Sequence, residues 1–223
     1  MVKVLLAHAC PAFRAGVREA LAATGDTVIE ADSGVQACLL AQGQRPDVAV
    51  LACRLRGSLD GPGAAERIHA MGWPVRVLGL AAAGDDRCLY RMLRAGVAGC
   101  LAEQASLATI VAAVHTVAGG GRLWLPDQVQ RAESWWSEFG ARLETLTRRE
   151  REVLEMLVQA WTNREIAQRL ILSEDTVETH VRHVLAKLQL ASRRQAAAFW
   201  LKATGGSGLL ASEITDSGDD RPC

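Results

Sequence analysis

The chain has 223 residues, 49% of them hydrophobic, which is enough apolar material for the cores of one or two domains. Its 25 basic and 25 acidic side chains cancel, so no net charge draws the whole protein to nucleic acid or to a membrane surface. No apolar run approaches the roughly 20 residues of a membrane-spanning helix, and the amino terminus lacks a signal-peptide pattern.

Strands and helices alternate along the first half of the chain. Short apolar runs predict five buried strands, at Val2–Ala7, Thr27–Glu30, Val48–Leu51, Val75–Leu80 and Cys100–Leu101. Helical spacing follows each of them, at Phe13–Ala23, Val35–Ala41, Ala64–Met71, Arg87–Ala95 and Leu107–Ala118. Gly96 is predicted to cap the fourth helix in the left-handed conformation. We therefore expect an α/β domain, with a doubly wound, five-stranded parallel sheet and helices on both faces.

A glycine-rich segment follows this half. Gly119, Gly120 and Gly121 predict flexibility, whereas residues 127–145 permit a helix. Trp135 and Trp136 lie in that helical stretch. Because adjacent exposed tryptophans are costly, we expect them to pack on a domain face or on a partner subunit.

Three short helices are predicted after residue 145. Thr147 and Glu150 form a capping-box pattern at the start of the first, and the polar pair at residues 162–163 ends it. Ser173 caps the third helix, which turns its valines and leucines inward. Its outer face carries four polar side chains, Glu178, Thr179, Arg182 and Lys187. Two short helices joined by a tight turn, the second with a polar outer face, suit insertion into a DNA major groove.

The charge distribution agrees with that interpretation. Between residues 179 and 202 there are five basic side chains and no acidic one, at Arg182, Lys187, Arg193, Arg194 and Lys202. A local basic patch matters more for phosphate contact than the sum over the chain. A plain helical bundle that binds protein is the alternative.

The carboxy-terminal stretch resembles the DNA-binding domain of NarL/LuxR-type transcription regulators. The matching residues are Leu146-Thr147, Arg149-Glu150, Glu152-Val153-Leu154, Asn163, Glu165-Ile166-Ala167, Leu170, Leu172-Ser173-Glu174, Thr176-Val177, His180-Val181 and Lys187-Leu188. The resemblance implies an all-α, four-helix domain over residues 144–204. Its recognition helix would span about residues 174–188, and a fourth helix, about Arg193 to Lys202, would carry dimer contacts.

We predict the DNA contacts from this placement. Glu178, Thr179 and Arg182 should face base edges, with Arg182 reading guanine or phosphate. Phosphate contacts are expected from Lys187, Arg193 and Arg194. Thr162 and Asn163, at the start of the second helix, complete the predicted DNA-binding set.

The first half resembles a response-regulator receiver domain. The matching residues are Val2-Lys3-Val4-Leu5-Leu6-Ala7, Pro11, Phe13-Arg14-Ala15-Gly16, Arg45-Pro46-Asp47-Val48, Asp60-Gly61, Arg94-Ala95-Gly96 and Gly99. The resemblance implies a flavodoxin-like fold over residues 1–118. A linker at 119–143 and a disordered acidic tail at 205–223 then complete the domain organisation.

Every residue that carries the family's chemistry is replaced. The acidic pair that holds Mg²⁺ corresponds to His8 and Ala9, and the phosphoacceptor aspartate to Ala52. The switch hydroxyl residue corresponds to Ala81, and the lysine that pairs with the phosphoryl group to Glu103.

Mg²⁺ requires oxygen ligands, Ala52 offers no nucleophile, and Glu103 would repel a phosphoryl dianion. The switch aromatic is likewise replaced, by Cys100. Asp60 could be considered a substitute acceptor, but we interpret it as a turn or helix-capping residue. We expect no metal, no cofactor, no catalysis and no control by phosphorylation.

The six cysteines, at positions 10, 38, 53, 88, 100 and 223, have no metal-type spacing. Except for Cys223 they lie in apolar elements, so we expect reduced, buried thiols of a reducing cytoplasm.

These features favour a bacterial-type, non-enzymatic transcription regulator with an atypical receiver. We expect it to be cytoplasmic and nucleoid-associated, and to bind palindromic promoter DNA as a homodimer. The receiver is either constitutively competent or controlled by a protein or small-molecule regulator. The alternative is a protein-interaction module, whose receiver binds a partner or ligand that controls or replaces DNA binding.

Overall fold

The computed structural model describes residues 1–205, which form two compact units, residues 1–132 and residues 133–205. Five parallel strands make one sheet in the order β2-β1-β3-β4-β5. They are β1 Lys3–Ala7, β2 Thr27–Ala31, β3 Val48–Ala52, β4 Arg76–Ala81 and β5 Gly99–Ala102. In register, Leu5 of β1 pairs with Ile29 of β2 and with Ala49 of β3. The predicted doubly wound parallel sheet is confirmed.

Helices cover both faces of the sheet, as predicted. They are α1 Pro11–Ala22, α2 Gly34–Gln44, α3 Gly61–Ala70, α4 Asp86–Arg94 and α5 Leu107–Ala118. Alternate residues of each strand point to opposite faces. Leu5 and Leu51 therefore share one core with α2, α3 and α4, while Leu6 and Val50 share the other with α1 and α5.

Helix ends account for most differences from the predicted bounds. Pro11 begins α1 ahead of the predicted Phe13, because proline fits the first helical turn, where its missing N–H costs nothing. Ser33 begins α2, which then runs past Gly43 to Gln44 and ends at Arg45 in the left-handed conformation. Gly96 has a φ of 76° directly after α4, as predicted.

The segment predicted as a linker, residues 119–143, is mostly folded. It contains α6 Pro126–Trp135, a π-helical turn Trp136–Gly140 and most of α7 Ala141–Glu144. Trp124 Nε1 donates to the carbonyl of Val97 at 2.9 Å, so this part of the segment packs on the first unit. Trp135 belongs to the second unit, where its Nε1 donates to the carbonyl of Ala203 at 2.8 Å.

Four further helices build the second unit. They are α8 Arg148–Val158, α9 Asn163–Leu170, α10 Glu174–Lys187 and α11 Arg193–Ala203. A small core of Val153, Leu157, Ile166, Val177 and Val181 joins α8, α9 and α10. The predicted capping box at Thr147 is present, and Thr162 forms a second with Glu165.

The all-α second part of the predicted fold is thus confirmed. The predicted disordered tail, residues 205–223, lies outside the described residues apart from Gly205. Within residues 1–205 no helix is long and apolar enough to cross a membrane.

Candidate nucleic-acid interface

The recognition helix predicted from the sequence is α10. Ser173 accepts a hydrogen bond from the Thr176 amide at 3.1 Å, which fixes the first turn of α10. Between α9 and α10, Ile171 takes the left-handed conformation and is 92% exposed, while the Leu172 amide donates to the carbonyl of Ala167 at 2.9 Å. Val177 and Val184 are fully buried on the inner face of α10, so the opposite face of this helix is exposed to solvent.

The exposed face of α10 carries the three residues predicted to read bases. The Arg182 guanidinium lies 3.7 Å from the Glu178 carboxylate, and both side chains are largely exposed. Thr179 is exposed too, although its hydroxyl donates to the carbonyl of Asp175 at 3.0 Å. The structure therefore brings Glu178, Thr179 and Arg182 together on one solvent-facing surface.

Lys187 has a structural partner that the sequence analysis did not foresee. Its ammonium donates to the buried carboxylate of Glu150 on α8 at 2.7 Å. Burial would raise the pKa of Glu150, but the hydrogen bonds from Lys187 and from the Thr147 amide outweigh it and lower the pKa. The Lys187 ammonium is thus paired with a carboxylate of its own domain, and the predicted phosphate contact stays a prediction.

A second cluster forms where α9 and α11 begin. The Arg193 guanidinium donates to Asn163 Oδ1 at 2.7 Å and to the carbonyl of Trp161 at 2.9 Å. Thr162, the N-cap of α9, precedes Asn163 in the chain. Arg194, which follows Arg193, is exposed. These four predicted residues, Thr162, Asn163, Arg193 and Arg194, share one edge of the domain.

One further arginine supports the turn before α10. The Arg149 guanidinium donates to the carbonyl of Leu170 at 2.6 Å and pairs with Glu152 at 2.8 Å. The sequence analysis noted Arg149 only as part of a resemblance. Its position on α8, opposite the end of α9, becomes evident only from the packing of the three helices.

At the carboxyl edge of the sheet, the structure gathers the replaced receiver residues. Ala52 and Ala81 end neighbouring strands and are buried, and the amide of Glu103 donates to the carbonyl of Ala81 at 2.9 Å. Burial raises the pKa of the Glu103 carboxyl. Among residues 1–205 no group of His, Cys, Asp and Glu is suited to hold a metal ion.

His8 is held in place by its own neighbours. Its Nδ1 accepts a hydrogen bond from the Cys10 amide at 3.0 Å, and its ring stacks on Phe13 with 4.1 Å between centroids. Burial lowers the pKa of His8 against the opposing effect of the hydrogen bond with the Cys10 backbone, and the Arg14 guanidinium lowers it further. A neutral His8 and the small Ala9 beside it supply no side-chain oxygen for a cation.

The expectation of reduced cysteines is wrong for three of them, Cys10, Cys53 and Cys88, which are disulfide-bonded. Cys53, directly after β3, is joined by a disulfide to Cys88 in the first turn of α4, with Cα atoms 6.2 Å apart. The expectation failed because a sequence separation of 35 hides the proximity of Cys53 and Cys88. The predicted parallel sheet did indicate this proximity. Cys53 follows β3, Cys88 lies at the start of the helix that follows β4, and the carboxyl ends of neighbouring parallel strands meet at one edge. Cys38 and Cys100 are free and buried.

Asp60 is a helix-capping residue, as interpreted from the sequence. Its carboxylate accepts a hydrogen bond from the Gly63 amide at 3.1 Å and also pairs with Arg91 of α4. Both contacts fix the start of α3.

Comparison with known proteins finds similarity over both units. The family model for response regulator receiver domains matches residues 4–115. The family model for bacterial regulatory proteins of the luxR family matches residues 144–200. Over 200 residues the chain is 34% identical to a probable transcriptional regulatory protein NarL of Mycobacterium tuberculosis, covering 88% of this chain and 92% of the relative.

Two solved structures are similar as well. The signal receiver domain of the putative response regulator NarL from Mycobacterium tuberculosis is 36% identical, with a TM-score of 0.50, over 53% of this chain and 97% of that one. The response regulator ChrA of a heme-sensing two-component system is 28% identical, with a TM-score of 0.51, over 89% of this chain and 95% of that one.

Proposed function

Since the chain belongs to the response regulators with a LuxR-type domain and is therefore a DNA-binding transcription regulator, we propose that it acts independently of aspartyl phosphorylation. The observation that carries this proposal is the composition of the carboxyl edge of the sheet. Ala52 stands where a nucleophile is required, and His8 and Ala9 replace the oxygen ligands that Mg²⁺ needs. Glu103 adds a negative charge where a phosphoryl group would need a positive one.

In this proposal α10 enters the major groove of the DNA. Glu178, Thr179 and Arg182 face base edges, with Arg182 donating to guanine and Glu178 accepting from the amino group of cytosine. The exposed face of α10 supports this assignment, because the three side chains lie within one helical turn of one another.

Phosphate contacts come from the edge where α9 and α11 begin. Arg193 and Arg194 supply the charge, and Thr162 and Asn163 position it through the Arg193–Asn163 hydrogen bond. We assign Lys187 a supporting role instead, because Glu150 already engages its ammonium.

The regulator acts in the bacterial cytoplasm, on the nucleoid, as a homodimer. One recognition helix reads few base pairs, and a two-fold dimer on a palindromic promoter site pairs two weak contacts into a specific one. Neither catalysis nor a cofactor enters this function. The receiver serves as a dimerisation platform in a DNA-competent arrangement, or takes its input from another protein or a small molecule.

Selection of binding sites from random oligonucleotides tests the proposal. We expect an enriched palindromic sequence whose affinity falls steeply with salt, because phosphate contacts release counterions. Acetyl phosphate, or beryllofluoride with Mg²⁺, should leave the mass, the oligomeric state and the affinity for that sequence unchanged.

Two outcomes would contradict the proposal. A stable phosphoryl adduct that disappears in Asp60→Asn would refute independence from phosphorylation. Failure to enrich any sequence, combined with stoichiometric capture of another protein by the receiver, would favour the protein-interaction module instead.

A further inference from the structure

The disulfide between Cys53 and Cys88 joins the sheet to α4 at the edge where other receivers are phosphorylated. Cys53 is fixed to the sheet, because its amide donates to the carbonyl of Leu80 at 2.8 Å and its carbonyl accepts from the Gly61 amide at 3.0 Å. Cys88 is fixed to α4, where its amide donates to the capping carboxylate of Asp85 at 2.9 Å. The bond therefore connects a rigid strand end to the first turn of a helix.

The polar contact that parallels this bond is weak. The Arg54 guanidinium lies 3.4 Å from the Asp85 carboxylate, and the Arg54 side chain is 55% exposed. Exposed ion pairs contribute little to stability. Without the disulfide, α4 would be held by the apolar contacts of Leu89 and Met92 with the core and by two ion pairs, Asp86 with Arg131 at 3.0 Å and Arg91 with Asp60. Making or breaking one covalent bond thus changes how firmly α4 is attached to the sheet.

A disulfide in a cytoplasmic protein is usually transient, and serves catalysis or redox sensing. This argument rests on the proposed function, which places the protein in the cytoplasm. The remaining buried thiols do not compete in such chemistry. Burial raises the pKa of the Cys100 thiol to about 12, helped by Asp85 and Glu103, so Cys100 stays protonated and unreactive.

We propose that Cys53 and Cys88 form a reversible redox modification site, oxidised by peroxides and reduced by dithiols, which replaces aspartyl phosphorylation as the control of this receiver. Cys53 is 9% exposed and Cys88 is 1% exposed, so Cys53 is the sulfur that the oxidant reaches. Oxidation attaches α4 to the end of β3, and reduction releases it. Thiol–disulfide changes of this kind are known to bias two-state elements in redox sensors.

The chemistry balances with hydrogen peroxide as the oxidant. The Cys53 thiolate attacks one oxygen, the O–O bond breaks, and hydroxide leaves and takes up the proton that Cys53 lost. Cys53 is then a sulfenic acid. The Cys88 sulfur attacks the Cys53 sulfur, the S–O bond breaks, and the oxygen leaves as water with the Cys88 proton. Two thiols lose two electrons, and one peroxide becomes two waters. A dithiol reverses the step by exchange and becomes a disulfide itself.

The first experiment tests the site. Cys10 also takes part in a disulfide. All measurements therefore use a background in which Cys10, and also Cys223 outside the described residues, are replaced by serine. Peroxide should remove two hydrogens from the mass of this protein and protect Cys53 and Cys88 from alkylation after denaturation, and dithiothreitol should restore both. In Cys88→Ser, dimedone should label Cys53, whereas Cys53→Ser should give no label at Cys88. Cys38→Ser is the matched control and should behave as the background.

The second experiment tests the structural and functional consequences. On reduction, amide hydrogen exchange in residues 86–94 should accelerate about tenfold or more, as local opening of α4 becomes easier. Affinity for the selected DNA sequence should differ by about fivefold or more between the oxidised and reduced background protein. Cys53→Ser and Cys88→Ser should show one affinity under both conditions.

The outcomes separate the two proposals. If Cys53 and Cys88 stay alkylatable after peroxide, or α4 exchanges equally in both forms, the modification site is refuted. If DNA binds equally in both forms, control by this site is refuted while the proposed function stands. If no DNA binds in either form, the proposed function fails, and the alkylation and exchange data alone decide on the site.

Discussion

On the outer face of α10, Arg182 and Glu178 engage each other only loosely. An exposed pair with 3.7 Å between its charged atoms contributes little to stability, so base edges can replace this contact at small cost. We therefore propose Arg182 as a reader of DNA and assign a supporting role to Lys187, which lies on the same helix. Their difference depends on Glu150, which no periodicity within α10 could reveal.

Arg182→Ala should lower the affinity for the selected DNA sequence by about 1–3 kcal/mol and relax the preference at one base pair, if the contact with guanine is bidentate. Fluorescence anisotropy with the selected site and single-base variants measures both effects. Arg122→Ala removes the same charge from an exposed position in the first unit and is the control. Equal affinity and site preference in Arg182→Ala would remove Arg182 from the interface.

Lys187→Met should destabilise the second unit by about 1–3 kcal/mol, because it leaves the buried Glu150 carboxylate without its charged partner. Urea unfolding followed by tryptophan fluorescence measures this change. Lys202→Met, at an exposed position of α11, should have little effect. Adding Glu150→Gln to Lys187→Met should recover part of the loss, and a purely additive double variant would contradict the pairing.

At the scale of elements, Asp26 ties α5 to the edge of the sheet. Its buried carboxylate accepts from the Val2 amide at 2.7 Å, lies 2.9 Å from the Thr24 hydroxyl and 2.6 Å from His115 Nε2 on α5. Burial would raise the pKa of Asp26, but these hydrogen bonds, that of His115 foremost, outweigh it and lower the pKa. Three segments distant in the sequence are thus held by one ionised group.

Asp26→Asn should destabilise the first unit at neutral pH. A carboxyl whose pKa is lowered by folding stabilises the native state above its ordinary pKa, about 4. That stabilisation is lost as the pH falls through the pKa of the carboxyl in the folded protein. The deficit of Asp26→Asn relative to the natural chain should therefore shrink below about pH 4. Thermal unfolding from pH 7 downward, with Glu19→Gln as an exposed control, measures this. A deficit that is constant with pH would exclude the ionised hydrogen-bonded carboxylate as its source.

The order and type of the elements follow from the sequence, because strands buried on both faces are continuous apolar runs and helices repeat every three to four residues. Helix ends such as Ser33 and Thr162 were less visible, since a capping residue acts through a single hydrogen bond. Side-chain contacts between elements could not be derived from periodicity. The pairing of Lys187 with Glu150 and the bond between Cys53 and Cys88 depend on how distant segments pack, which periodicity does not encode.

At the scale of the molecule, each unit has its own core, so we expect the receiver to fold and associate without the DNA-binding domain. Two-fold association pairs two recognition helices and makes palindromic DNA the natural target. In the proposed function phosphorylation does not drive this association, so we expect the resting protein already to have access to the dimer.

Sedimentation velocity should accordingly show a dimer of the purified protein at micromolar concentration, formed through a helical face of the receiver. Residues 1–132 expressed alone should also dimerise. Residues 133–205 alone, which keep only the expected dimer contacts of α11, should dimerise more weakly and bind DNA with reduced affinity. Monomers only, both with and without DNA, would contradict this assembly.

The full burial of Ala52 also limits how this protein can change over evolutionary time. Replacing it with aspartate would place a carboxylate in the interior with no metal-binding group among residues 1–205 to neutralise it. An uncompensated buried charge costs about 3 kcal/mol or more. Acidic residues at His8 and Ala9 would have to come first, and they bring no benefit until Ala52 changes as well. In the proposed function, no single substitution would therefore give this edge of the sheet the groups that phosphotransfer needs.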